Sequence, residues 1–176
     1  MSNGSLDKWI YHGVREQILE WKCIKKVILD IAKGLAYLHE ECRQKIIHLD
    51  IKPQNILLDD DFNAKVSDFG LSKLIDRNQS QLMTTMRGTP GPVSGSRKVE
   101  LHHHGKARRN SHLLRVFQKC WEQETLLNMV DINSEDMQKN GTEVVEMMKM
   151  ASWCLQTDYT QRPSMSSAVK VIEGAM

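Results

Sequence analysis

Residues 47–55 and 68–70 hold the two carboxylates Asp50 and Asp68, the lysine Lys52 and the carboxamides Gln54 and Asn55, set between short apolar runs. They read Ile47-His48-Leu49-Asp50-Ile51-Lys52-Pro53-Gln54-Asn55, followed by Asp68-Phe69-Gly70. These residue types suit metal-assisted phosphoryl transfer. That chemistry needs a carboxylate to orient and deprotonate a hydroxyl, a cation to steady the moving phosphoryl group, and oxygen ligands for magnesium, a hard cation. Asp50 and Lys52 are of the first two kinds, and Asn55 and Asp68 supply the oxygens. Any one of the four taken alone is an ordinary solvated turn residue, and only their joint spacing argues otherwise.

Several elements must carry this stretch. Between residues 20 and 42 the apolar residues Ile24, Val27, Ile28, Ile31, Leu35 and Leu38 recur at intervals of three and four, which predicts an amphipathic scaffold helix. Gly34 weakens that helix by about 1 kcal/mol relative to Ala without overturning so regular a stripe. Ile46-Ile47-His48, Ile56-Leu57-Leu58 and Ala64-Lys65-Val66-Ser67 read as short strands, the last two split by the turn Asp59-Asp60-Asp61. Those adjacent aspartates lack the alternating ligands, central glycine and closing glutamate of a calcium loop, so a hairpin turn is expected.

Further on, Leu113, Leu114, Val116, Phe117, Cys120 and Trp121 predict one apolar helix face. Thr142 is the expected N-cap of a second helix, carrying Val144, Val145, Met148, Ala151 and Leu155 on its face. Met147, Met148 and Met150 are expected as core filler. Ser164 is expected to cap a last helix bearing Met165, Val169 and Ile172.

With 176 residues, 40% of them hydrophobic, the chain has room for one domain with a core. A formal net charge of +2 singles out neither nucleic acid nor an acidic substrate. Cys23, Cys42, Cys120 and Cys154 have neither metal-type nor paired spacing and suit a reducing setting. No apolar run is long enough to span a bilayer, and Met1-Ser2-Asn3-Gly4-Ser5 lacks the apolar core of a signal peptide, so a cytoplasmic chain is expected.

The residues resemble the eukaryotic protein kinase family, and more narrowly the plant receptor-like serine/threonine kinases of the lectin-receptor type. His48-Leu49-Asp50 with Asn55 is similar to the catalytic loop, and Asp68-Phe69-Gly70 to the magnesium-binding motif. Lys52-Pro53-Gln54-Asn55 resembles the serine/threonine branch. The resemblance implies ATP and Mg2+ as cofactors and a protein Ser or Thr hydroxyl as acceptor. It implies Asp50 and Lys52 in catalysis, and Asn55 and Asp68 in cofactor and metal binding. Leu49 stands where most kinases carry an arginine that binds a phosphorylated activation loop, which implies the non-RD class. Residues 71–91 resemble an activation segment. Ser72, Ser80, Thr84, Thr85 and Thr89 are candidate phosphoacceptors there, the threonines foremost, and Gly88-Thr89-Pro90-Gly91 resembles the start of the substrate-docking loop. The implied fold is mainly α with a few short β-strands: a kinase C-lobe, incomplete. These residues hold no Gly-x-Gly-x-x-Gly over the ATP phosphates, no identifiable ATP lysine and no Ala-Pro-Glu.

The likeness breaks after Gly91. The family continues Tyr-Leu-Ala-Pro-Glu-Trp into a buried helix, whereas residues 92–110 are basic and poor in apolar side chains. Three readings compete: a metal site at His102-His103-His104, a nucleic-acid-binding tail, and a slipped reading frame. Degenerate codons written from Val93 and begun one nucleotide late can be read Tyr-Leu-Ala-Pro-Glu, one basic residue, Trp-Ser-Ser-Ile-Ile-Thr-Glu-Lys, one undetermined residue, then Asp-Val. That is the missing family sequence in order, and the frame slip is preferred. Consecutive loop histidines seldom converge on one tetrahedral centre, and no aromatics interleave the basic residues, so neither zinc nor nucleic acid is expected as a partner.

The expected organisation is therefore residues 1–91 as the first part of the C-lobe, 92–110 as a basic non-family linker, and 111–176 as the terminal helices after a splice or deletion near Asn110. In the family an arginine at the position of Arg162 pairs with the absent Ala-Pro-Glu glutamate. Orphaning a buried ion pair costs about 3 to 5 kcal/mol, against a total stability of roughly 5 to 15 kcal/mol. A partly open lobe with exposed apolar surface is expected. Weak or absent catalysis follows as the expectation for this chain. The alternatives are a non-catalytic interaction or decoy protein that competes with full-length receptor kinases for partners, and a product without a cellular role. A full-length receptor parent would be membrane-associated.

Overall fold

Short antiparallel ladders and one long helix dominate the first half of the chain. The structure is a computed structural model and describes residues 1–10, 19–75, 81–84, 91–94, 107–130, 134–156 and 158–174. Strand β1 (Gly4–Ser5) and a single turn α1 (Asp7–Ile10) precede helix α2 (Trp21–Ala36), which runs on as a π-helical turn over Tyr37–Glu41. There follow β2 (Lys45–Ile47), β3 (Ile56–Leu58), β4 (Ala64–Val66), β5 (Lys73–Ile75), β6 (Gln81–Thr84) and β7 (Gly91–Ser94). The remainder is helical: α3 (Ala107–Glu122), α4 (Glu135–Lys139), α5 (Gly141–Cys154) and α6 (Met165–Gly174). The architecture is thus mainly helical with a few antiparallel strands. Helix α3 crosses the expected join between residues 110 and 111.

Strands β3 and β4 form the expected hairpin, Ile56 opposite Val66, and β1 adds to its outer edge with Gly4 opposite Leu58. The acidic turn is held by its own side chains. Asp59 Oδ1 accepts from the backbone N–H groups of Asp61 and Asn63, and the Asn63 side chain holds the Asp59 carboxyl below its usual range. Strands β2 and β5 form a second ladder, Lys45 opposite Ile75, and β6 and β7 a third.

Helix α2 is buried on two sides. Val27 packs with Ile56, Leu58 and Ala64 of the hairpin, while Leu29 and Ala32 pack with Met150 of α5 and with Ala168 and Ile172 of α6. The expected single stripe therefore understates the burial, because a helix sandwiched between two layers can place small residues such as Ala32 and Ala36 in the core. Lys25 is buried too. Its Nζ sits 2.7 Å from Glu143 Oε2, which also accepts from Trp21 Nε1 at 3.0 Å, and the Trp21 N–H donates to the Asp136 carboxylate. These bonds lock the start of α2 to α4 and α5.

Two expectations for the terminal helices need correction. Helix α5 starts at Gly141 with Asn140 as its N-cap, not Thr142, and no side-chain cap bond is made there. The Asn140 amide is turned back to the Asp136 carbonyl of α4, and a Cβ at Gly141 would lie 2.7 Å from Leu127 Cδ2, so a close approach places the helix start. The buried face of α5 is also rotated from the expected one. Val144 and Met150 are buried and Met147 and Cys154 pack against the core, whereas Ala151 and Leu155 are exposed. Ser164 does cap α6, its Oγ accepting from Ser167 N at 3.2 Å, and the Glu40 carboxylate reaches the same helix end, accepting from Ser166 N and Oγ.

Candidate active site

The residues with chemical potential lie where the two inner ladders meet. The chain leaves β2 into residues 48–55, passes through the β3–β4 hairpin, and returns through residues 67–72 to β5. Pairing β2 with β5 and β3 with β4 therefore sets the two connecting segments side by side. Both ladders rest on the buried side chains Ile47, Ile56, Leu58 and Ile75.

His48 is the inner anchor, 3% exposed. Its Nε2–H donates to the Ser67 carbonyl at 2.8 Å, its Nδ1 accepts from Asp50 N at 3.3 Å, and its ring meets Phe69 edge-on with centroids 4.9 Å apart. Both nitrogens are used, so the tautomer carries its proton on Nε2. Asp50 Oδ2 receives Lys52 Nζ at 2.5 Å and Asn55 Nδ2 at 3.3 Å, and Asn55 Nδ2 also donates to the Asp50 carbonyl at 3.0 Å. Pro53 opens the 3-10 turn Pro53–Asn55, whose Asn55 N–H bonds to Lys52 O at 2.9 Å, and this turn buries the Asn55 side chain. Pro suits that position because its fixed φ and missing N–H cost nothing at the first residue of a turn.

Asp68 is different. It is exposed, adopts a left-handed backbone at φ 60°, and caps the 3-10 turn Phe69–Leu71 by accepting from Gly70 N at 3.4 Å. Asp is among the few residues that tolerate this conformation. Asp50, Lys52 and Asn55 are thus joined directly, while Asp68 adjoins them through Ser67. Ser67, whose N–H donates to Asn55 O at 2.8 Å and whose Oγ donates to the same oxygen at 3.0 Å, was not singled out from the sequence. The signal available was a hydroxyl at the end of a strand, immediately before Asp68.

The donor set fits magnesium by its chemistry. The Asn55 amide nitrogen is turned to Asp50, which leaves its oxygen as the other end of the amide, and the Asp68 carboxylate is exposed. A magnesium ion is ordinarily held by one or two protein oxygens, with phosphate and water completing the shell. Among the described residues no group of three or more His, Cys, Asp or Glu side chains is arranged to hold a metal.

Of the candidate phosphoacceptors, Thr84 lies at the end of β6, while Ser80, Thr85 and Thr89 fall outside the described residues, as do the three histidines. Ser72 has a buried hydroxyl without a hydrogen-bond partner among the described residues. Arg162, expected as the orphan of a broken buried pair, is not left alone: it is part-exposed and its Nε donates to Gln156 O at 2.7 Å, because the 3-10 turn Tyr159–Gln161 brings that carbonyl within reach. Near it, Trp121 (37% exposed), Trp153 (47%) and Leu155 (53%) line a cavity of about 360 Å³ with Phe117 between α3 and α5.

A family model described as "Protein kinase domain" matches residues 1–95, and the chain belongs to the protein kinase family. Among its relatives, a G-type lectin S-receptor-like serine/threonine-protein kinase of Arabidopsis thaliana is 40% identical over 99% of this chain and 24% of the relative. A second kinase so named from Arabidopsis thaliana is 41% identical over all of this chain and 24% of its own length, and one from Oryza sativa 36% over 99% and 24%. The chain thus spans about a quarter of the length of these relatives, which are receptor-like kinases by name. No helix among the described residues is long and apolar enough to cross a membrane.

Proposed function

We propose that this chain is a catalytic-lobe stretch of a serine/threonine protein kinase, with ATP, Mg2+ and a protein hydroxyl as its ligands. The observation that carries the reading is the Asp50 carboxylate, held by Lys52 and Asn55 in one partly buried cluster. Asp50 orients the acceptor Ser or Thr hydroxyl and takes its proton as the new O–P bond forms and the bond to ADP breaks. Lys52, beside it, steadies the charge on the transferring group. Asn55 and Asp68 are the residues that would hold magnesium, which supplies neutralisation of phosphate charge when bound. Positioning is most of what such a site contributes. These residues include no glycine-rich loop, so transfer by this stretch alone is weak or absent.

Residues 1–91 then form the first part of the lobe, with Thr84, Thr85 and Thr89 as candidate phosphosites, and 111–176 its terminal helices. The frame-slip reading of 92–110 is supported by the family match ending at residue 95. It is also supported by alignments that run over 199 and 204 residues against a chain of 176, so the relatives carry residues that this chain skips. A transcript encoding Ala-Pro-Glu in frame would identify the longer form as the gene's ordinary product. The relatives are named receptor-like kinases, which supports a membrane-associated full-length parent with this stretch as a cytoplasmic part of it.

The test is label transfer from ATP by the purified chain to a mixed Ser/Thr/Tyr protein substrate with magnesium, against Asp50→Asn. Weak labelling of Ser or Thr that disappears in the variant is the expected result; equal labelling by both chains, or labelling of tyrosine, overturns it. The alternative, a non-catalytic partner of receptor kinases, is the less favoured reading, since the relatives are named as kinases. A chain that labels nothing and co-purifies with a full-length receptor kinase supports that reading.

A further inference from the structure

Asp68 is exposed, lies ahead of a three-residue turn, and has a left-handed backbone, so its placement depends on what holds the residue before it. That residue, Ser67, is tied three times. Its N–H and its hydroxyl donate to the same Asn55 carbonyl, at 2.8 and 3.0 Å, and its own carbonyl accepts from His48 Nε2 at 2.8 Å. The backbone bonds are open to any residue at this position; the hydroxyl bond belongs to serine. Such a bond is not automatic on this segment, since the buried hydroxyl of Ser72 has no partner among the described residues.

We infer that Ser67 is a positioning residue whose hydroxyl couples Asn55 to Asp68 and so sets the relation between the two oxygen ligands. The inference rests on the reading of Asn55 and Asp68 as the magnesium pair. Asn55 is the fixed side of the coupling, because its side chain is pinned to Asp50 and its N–H to Lys52. With one donor on the Asn55 carbonyl the Ser67 peptide can pivot about that bond. Two donors from the same residue define its rotation, and the Asp68 Cα is one peptide away. Groups that orient a metal ligand in this way weaken metal binding when removed, even though they never touch the metal.

The experiment is Mn2+ titration of the full chain in the presence of ADP, followed by electron paramagnetic resonance, with thermal melts on the same samples. Ser67→Ala and Ser67→Val are expected to weaken Mn2+·ADP binding about fivefold, the effect of one lost hydrogen bond. Ser67→Thr, with the shape of Val and the hydroxyl of Ser, is expected to stay within about twofold of the unmodified chain. The Thr and Val chains differ chiefly in that hydroxyl, so a loss of packing moves both alike and the hydroxyl coupling moves only one. Thr as weak as Val, or Ala and Val as strong as Ser, overturns the role of Ser67 while leaving the metal pair standing. Binding that is absent from the unmodified chain, or that survives Asp68→Asn undiminished, overturns the metal pair and Ser67 with it.

Discussion

The segment from His48 to Ser72 and the helical layer from α3 to α6 belong to one chain but treat their side chains in opposite ways. In the first, the buried and part-buried groups of the site are closed on one another: His48 on Ser67 and Asp50, Asn55 on Asp50, and Ser67 on Asn55. In the second, large apolar groups stand open, with Trp121, Trp153 and Leu155 exposed around a cavity. The first holds its shape through short-range bonds within about two dozen residues. The second depends on partners distant in sequence, and the basic stretch of residues 92–110 supplies few apolar side chains to cover it. A site made by local closure can keep its geometry where a layer made by long-range packing stays unfinished.

The contrast is broken most severely by Leu58→Ala. Leu58 is fully buried against α2, and its truncation is expected to cost about 3 to 5 kcal/mol in urea unfolding. A loss below about 1 kcal/mol would show that the hairpin is not packed as described. Next is His48→Ala, which strips the Ser67 carbonyl of its donor and removes the edge contact to Phe69; about 2 kcal/mol is expected by the same measurement.

Acid sharpens the comparison at the other end of α2. Burial would raise the Glu40 carboxyl, but the Ser166 hydroxyl and N–H outweigh it and hold the group below its ordinary value of 4.5, while burial lowers His39 from 6.5. Both folded-state values are depressed, so each group contributes stability that is present above its unfolded value and lost as pH falls through its folded one. The melting temperature should therefore fall as pH drops below 6.5, and further below 4.5. Glu40→Gln should flatten the lower part, and an unchanged slope there would exclude the clasp on α6.

Smaller still, Trp153→Ser should change stability by less than about 1 kcal/mol, since the side chain is already half exposed, yet should lower binding of an apolar fluorescent dye. An unchanged dye signal would place the open surface elsewhere. Lys139→Ala, at an exposed pair with Glu135, should stay within about 0.5 kcal/mol.

Much of this was legible in the chain itself. The scaffold helix, the β3–β4 hairpin and its acidic turn follow from periodicity and turn chemistry, which act between neighbours. The motif residues Asp50, Lys52, Asn55 and Asp68 are legible because their spacing is local. The N-cap at Asn140, the rotated face of α5 and the Gln156 partner of Arg162 were not, because each is settled by where a neighbouring element lies. Lys25 is the clearest instance. On a helix it reads as a solvated residue, and it is buried only because Glu143 approaches from another helix.

The family and the set of chemical groups follow from residue types at short spacing. How those groups are held follows from the folded arrangement of the strands. Two ladders bring residues 48–55 against 67–72, and Ser67 and His48 then tie the two segments together. The physical reason is that a hydrogen bond between residues twelve or nineteen positions apart leaves no periodic trace in a sequence and exists only once both ladders have closed.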